Sequence, residues 1–161
     1  AGVLFLVVAA PLLSMAAEGV WMDYGLYRAR FGSTLADPET ARSAADYVNA
    51  HTDQEDVVLA SPTIAWLVEA QAADFQMAVA ATGPATQHFP ANIPPDRFRF
   101  DPRLENALYV ILDPLWCGWA SDTMPAVQEM VQEVEGKWTL EATFGDFRVY
   151  RNPAGTQLEG E

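Results

Sequence analysis

The chain has 161 residues, one cysteine, and 9 Lys and Arg against 22 Asp and Glu, a net charge of −13. Nucleic-acid binding needs Lys and Arg to neutralise phosphates and displace counterions, so this charge and the lack of any basic stripe argue against it. The lone Cys117 excludes an internal disulfide and a thiolate-rich metal site.

The sequence opens AGVLFLVVAAPLLSMAAEGVW, without an initiator Met and without a charge before Glu18, which reads as the start of a fragment. Ala1 to Ala17 would make about 26 Å of helix, slightly short of the roughly 20 apolar residues that cross a bilayer. A few more apolar residues upstream would complete a span, so residues 1–20 are expected to be the end of a truncated transmembrane helix. A signal peptide stays open, although the basic n-region is missing, as does a buried core helix. Trp21, Tyr24 and Tyr27 suit an interfacial aromatic belt and equally a core. An acidic domain sits more comfortably outside a membrane, with Arg28 and Arg30 pulling the other way. The expected location is therefore the cell membrane, with the soluble part extracytoplasmic.

Residues 21–36 read as a connecting segment, because Gly25, Gly32 and Ser33 break any period. An α/β domain is expected over 37–153 and a disordered tail over 154–161. Asp37-Pro38-Glu39 offers an N-cap, a first-turn proline and a first-turn acid. A helix should follow to about residue 50, with Ala41, Ala44, Ala45 and Val48 facing inward. DVVLAS is a continuous apolar strand of the kind buried on both faces. Ser61-Pro62 repeats the cap-plus-proline signal and predicts a helix carrying Ile64, Leu67 and Val68, its end relative to Asp74 undetermined.

Residues 82–104, TGPATQHFPANIPPDRFRFDPRL, hold five prolines and no sustained period, the mark of a long ordered loop or arm. Loops of that length are uncommon unless they have a function. Residues 107–114, ALYVILDP, predict a second buried strand. Asp122 should begin a helix with Val127, Met130, Val131 and Val134 on one stripe and Glu129, Glu133 and Glu135 on the wet side. KWTLEATFGDFRVYRNP predicts a hairpin turning at Gly145-Asp146, with Trp138, Leu140, Ala142 and Phe144 alternating on one side of the turn and Phe147, Val149 and Tyr150 following it. The order implies an α/β fold: a mixed sheet with two central parallel strands, flanking helices and a C-terminal β-hairpin.

Chemical motifs are sparse. His51, His88 and Cys117 have no metal-ligand spacing, so no metal site is expected. Ser61 lies in ASPT rather than in a nucleophile elbow and fits a helix start, and no glycine loop for phosphate occurs. Of the carboxylates at element ends, Asp101-Pro102 and Asp113-Pro114 read as turn or cap signals, with Asp96 beside them in the arm; Asp74 is alone in an apolar setting. Trp116 and Trp119 could stack on a sugar or form a core edge.

The apolar span, DYVNAHTDQEDVVLASPTIAWLVEAQAADFQM, HFPANIPPDRFRFD, ALYVILDPLW and the closing FRVYRNP together look like one known arrangement. The chain resembles the C-terminal extracytoplasmic domain of prokaryotic membrane glycosyltransferases of the GT-C superfamily, the dolichyl-phosphate-mannose protein mannosyltransferase type. The resemblance implies a multi-span enzyme passing a sugar from a polyprenyl-phosphate donor to an extracytoplasmic acceptor. It implies partners in the membrane, the upstream transmembrane region and the lipid-linked sugar, with catalytic residues in loops before Ala1. No catalytic residue transfers to this chain, which is expected to be inactive alone and to need no cofactor of its own. Candidate acceptor or substrate contacts are Asp74, His88, Arg97, Trp116 and Trp119. Two other classes stay open: a membrane-tethered carbohydrate-binding or sensor module using the two tryptophans, and a secreted hydrolase using His88 and a loop aspartate.

Overall fold

The structure, a computed structural model, describes residues 37–154. The expected membrane helix, the connecting segment and all but the first residue of the expected tail lie outside the described residues. Helix α1 (Pro38–Asn49) starts as its sequence dictates: the Asp37 carboxyl accepts the Thr40 amide at 3.0 Å, and Ala41, Ala44, Ala45 and Val48 are buried. Among the described residues no helix is long and apolar enough to cross a membrane.

Five strands form one mixed sheet in the order β2-β1-β3-β5-β4: β1 (Val57–Ala60), β2 (Gln71–Ala73), β3 (Tyr109–Leu112), β4 (Thr139–Phe144) and β5 (Phe147–Arg151). β1 and β3 are the two parallel strands expected at the centre, every residue of each buried. β2 adds a third parallel strand outside β1, and β5 and β4 run antiparallel beyond β3 as the expected hairpin. Successive β1 residues feed opposite layers. Val58 and Ala60 pack with the α1 alanines, whereas Val57 and Leu59 meet helices α2 (Phe75–Ala81) and α4 (Pro125–Lys137).

The helix expected after Ser61-Pro62 is only a tight turn at Ala65–Leu67, and Val68 is already extended. Asn49 explains the stop. Its side-chain amide donates to the Leu67 carbonyl at 2.9 Å and its side-chain oxygen accepts the Glu69 amide at 2.9 Å, engaging backbone groups that a helix would have used. β-branched Thr63, Ile64 and Val68 also weaken a helix. The chain turns into β2, and Asp74 caps α2 by accepting the Met77 amide at 2.8 Å.

The helix expected from Asp122 begins later. Leu115–Ala120 is a stretch of π-helix continued by the short turn α3 (Ser121–Thr123), and α4 starts at Pro125. Pro125 forces Met124 out of the helical region, to φ −129° and ψ 102°, so the two segments cannot fuse. The predicted stripe holds, with Val127, Val131 and Val134 buried.

In β4 the expected alternation fails. The register shifts between Leu140 and Ala142, so Trp138 packs in the α2/α4 layer, Leu140 is half exposed, and Ala142 and Phe144 pack in the α1 layer. A bulge inserts one residue and re-aims the side chains beyond it. Gly145 closes the hairpin with φ +56°, and a Cβ there would also lie 3.1 Å from the Thr40 methyl.

The re-aimed residue is Glu141. One oxygen of its carboxyl accepts the hydroxyls of Tyr109 at 2.9 Å and Tyr47 at 3.1 Å, and the other lies 3.7 Å from Arg151. Burial, then the hydrogen bond to Glu141 and its negative charge, raises both tyrosine pKa values above the ordinary 10.0, with Arg151 opposing. A pKa raised on folding means stability that is complete below the unfolded value and lost as pH rises toward the folded one. The stability that these two tyrosines contribute is therefore expected to be lost only above about pH 10, and tyrosinate absorbance in the folded protein should lag that of the unfolded chain. Coincident titrations in the two states would contradict this cluster.

Candidate functional site

The strand order puts a topological switch between β1 and β3: from β1 the chain passes to β2 on one side, and from β2 it crosses back past β1 to β3 on the other. In open α/β sheets the crevice at the carboxyl ends of two such strands is where ligands usually bind. Ser61 follows β1 and Asp113 follows β3, and the Ser61 hydroxyl donates to Asp113 Oδ2. Thr63 Oγ1 donates to the same oxygen at 2.7 Å, and the amides of Leu115 and Trp116 donate to Oδ1 at 3.1 Å each. Ser61 is 0% and Asp113 2% exposed, so the crevice is closed by its own side chains. Ser61 has no histidine beside it and its hydroxyl is spent on the carboxyl. The arrangement is a lock, not a nucleophile with a base.

Open surface with distinctive chemistry lies elsewhere, in the arm after α2. Gln76, buried on α2, accepts the His88 amide at 3.2 Å, and the Asn92 amide donates to the Gly83 carbonyl at 2.8 Å. Gly83 and Asn92 both adopt positive φ, +110° and +56°, in the region open to glycine and tolerated by asparagine. These bonds fold the five-proline stretch into a fixed shape. Between it and α2 lies a groove of about 520 Å³, walled by Met77, Phe89, Ile93 and Phe98 and carrying Arg97 and Arg99. Neither arginine side chain makes an ion pair or hydrogen bond among the described residues, whereas Arg103 is tied to Asp101 and Glu105.

The sequence-predicted candidates separate. His88 and Arg97 are both exposed on the arm, and Arg97 lines the groove. Asp74 is a helix cap, with its carboxyl engaged by the Met77 amide. Trp116 is 1% exposed and meets Phe75 edge-on, ring centres 4.8 Å apart, which leaves no face for a sugar. Trp119 lies on the same π-helical stretch, and its side chain is outside the described part. The Ser61–Asp113 lock and the groove's Arg99 are additions that no local motif announces, because the first joins strands distant in sequence and the second depends on how the arm folds.

Two other polar places offer less. A cleft of about 530 Å³ at the amino edge of β1 and β3 is lined by His51, Asp53, Asp56, Glu105 and Asn152, but His51 is bonded to the Tyr47 carbonyl at 2.7 Å and stacked on its ring. Among the described residues no group of three or more His, Cys, Asp or Glu could hold a metal ion. Cys117 Sγ accepts a hydrogen bond from Arg148 at 3.0 Å. Burial pushes its pKa up more than the nearby guanidinium pulls it down, so its reactive thiolate is scarce. Compared with known proteins, the chain matches no protein family, no curated protein and no solved structure.

Proposed function

We propose that this chain is the extracytoplasmic accessory domain of an integral-membrane glycosyltransferase of the GT-C type, in which a polyprenyl-phosphate-linked sugar is the donor. The domain performs no bond chemistry itself. It works beside the membrane and the upstream transmembrane region of the same protein, and its arm approaches donor or acceptor.

The observation that carries this reading is the arm: a long segment outside the sheet, pinned to α2 through Gln76 and bearing exposed His88 and Arg97 beside an apolar groove. Ordered loops of such length tend to be functional. The closed Ser61–Asp113 crevice supports a non-catalytic role for the α/β domain. Burial of Trp116 weighs against a sugar-stacking module built on it. The His88 imidazole has no carboxylate partner among the described residues, which weighs against a hydrolase built on it.

His88 is the residue to test, because its amide is held by Gln76 while its imidazole makes no bond among the described residues. In the longer protein, transfer of labelled sugar from a polyprenyl-phosphate donor is expected to fall roughly tenfold in kcat/KM on His88→Ala, equivalent to about 1.4 kcal/mol. The 161-residue chain alone is expected to transfer none. Transfer by this chain alone, or an unchanged kcat/KM in the variant, overturns the proposal.

A further inference from the structure

We infer that the arm groove is a docking site for an anionic phospholipid, with Arg97 and Arg99 gripping its phosphate and the apolar walls receiving the carbons next to it. Arg97 ends a short 3-10 turn, Phe98 after it is extended at φ −88° and ψ 137°, and Arg97 and Arg99 are both exposed and both line the groove. Phe98, between them in sequence, is half buried and is itself one of the groove's walls. Two exposed arginines therefore border one groove whose walls include Phe89, Ile93 and Met77.

Charge complementarity selects the occupant. The chain carries −13 overall and has no general attraction for anions, yet both rim arginines are left without an acidic partner among the described residues. Of the nearby carboxyls, Asp96 does not line the groove and Asp101 is tied to Arg103. Guanidinium is weakly hydrated and matches phosphate oxygens in a bidentate fork. The apolar walls ask for hydrocarbon beside that phosphate, and a membrane phospholipid supplies both. The inference stands on the groove alone and holds whether or not the chain serves a sugar transferase.

The test uses the full chain mixed with nanodiscs of phosphatidylcholine, with or without phosphatidylglycerol, and reads amide exchange over residues 89–99. Exchange is expected to slow only with the anionic lipid. Arg97→Ala and Arg99→Ala should each weaken the protection about fivefold, the worth of one basic residue near an anionic surface. Arg42→Ala removes an exposed arginine outside the arm and should leave the protection intact. The variants alter exposed side chains, so their circular dichroism should match the parent. Equal protection by neutral discs, no protection by either disc, or an equal loss in Arg42→Ala overturns the inference. The same protection from inorganic phosphate alone overturns it too, reassigning the arginines to a free anion.

Discussion

Asp113→Ala is expected to lower the unfolding free energy by about 3–5 kcal/mol, the larger part from buried donors left without an acceptor at about 1–3 kcal/mol each. Four donors converge on this one carboxyl: two hydroxyls from the β1 end and two amides from the segment after β3. The hydroxyls can rotate toward other acceptors, but the Leu115 and Trp116 amides are fixed by the backbone. Ser61→Ala removes one donor and leaves the carboxyl three, so its loss should be about 1 kcal/mol. Urea denaturation of the two variants separates these values. Equal losses would show that Asp113 does not hold the crevice shut.

Trp116→Ala should destabilise by about 3–5 kcal/mol, the range for emptying a large aromatic site in a core. Trp116→Phe should lose much less, under about 1.5 kcal/mol, although the ring is smaller. The indole Nε1 is buried and has no hydrogen-bond partner among the described residues, so replacing it removes an unsatisfied donor while the edge contact to Phe75 can persist. If the two variants prove equally unstable in urea, the indole N–H is engaged and the packing described for it is wrong.

The elements legible in the sequence were those whose signals are local. Asp37-Pro38 named the start of α1, the runs VVLA and YVIL named the buried central strands, and Gly145-Asp146 named the hairpin. Each depends on residues adjacent in the chain. The departures came from contacts across it. Asn49 cuts short the turn after Ser61, and β2 is too short and too poor in β-branched residues to announce itself. Pro125 did carry a local signal, and it outweighs the helix start expected at Asp122. For the candidate site the prolines made the arm visible, with His88 and Arg97 on it. Its groove depends on Gln76 reaching from α2, and Trp116 could be read as core or as platform until its burial was known.

The pairing of the two central strands also sets an order of events during synthesis. Val58 of β1 pairs with Tyr109 of β3, and α2 and the whole arm lie between them. A chain emerging from its amino end therefore holds β1 ready long before the strand that covers its inner edge exists. Parallel pairing over such a separation is slow to close, and an apolar strand with an open edge can pair with another chain. The arm thus has a kinetic aspect besides any docking role: its length fixes the interval during which the strand Val57–Ala60 waits, and shortening it would narrow that window.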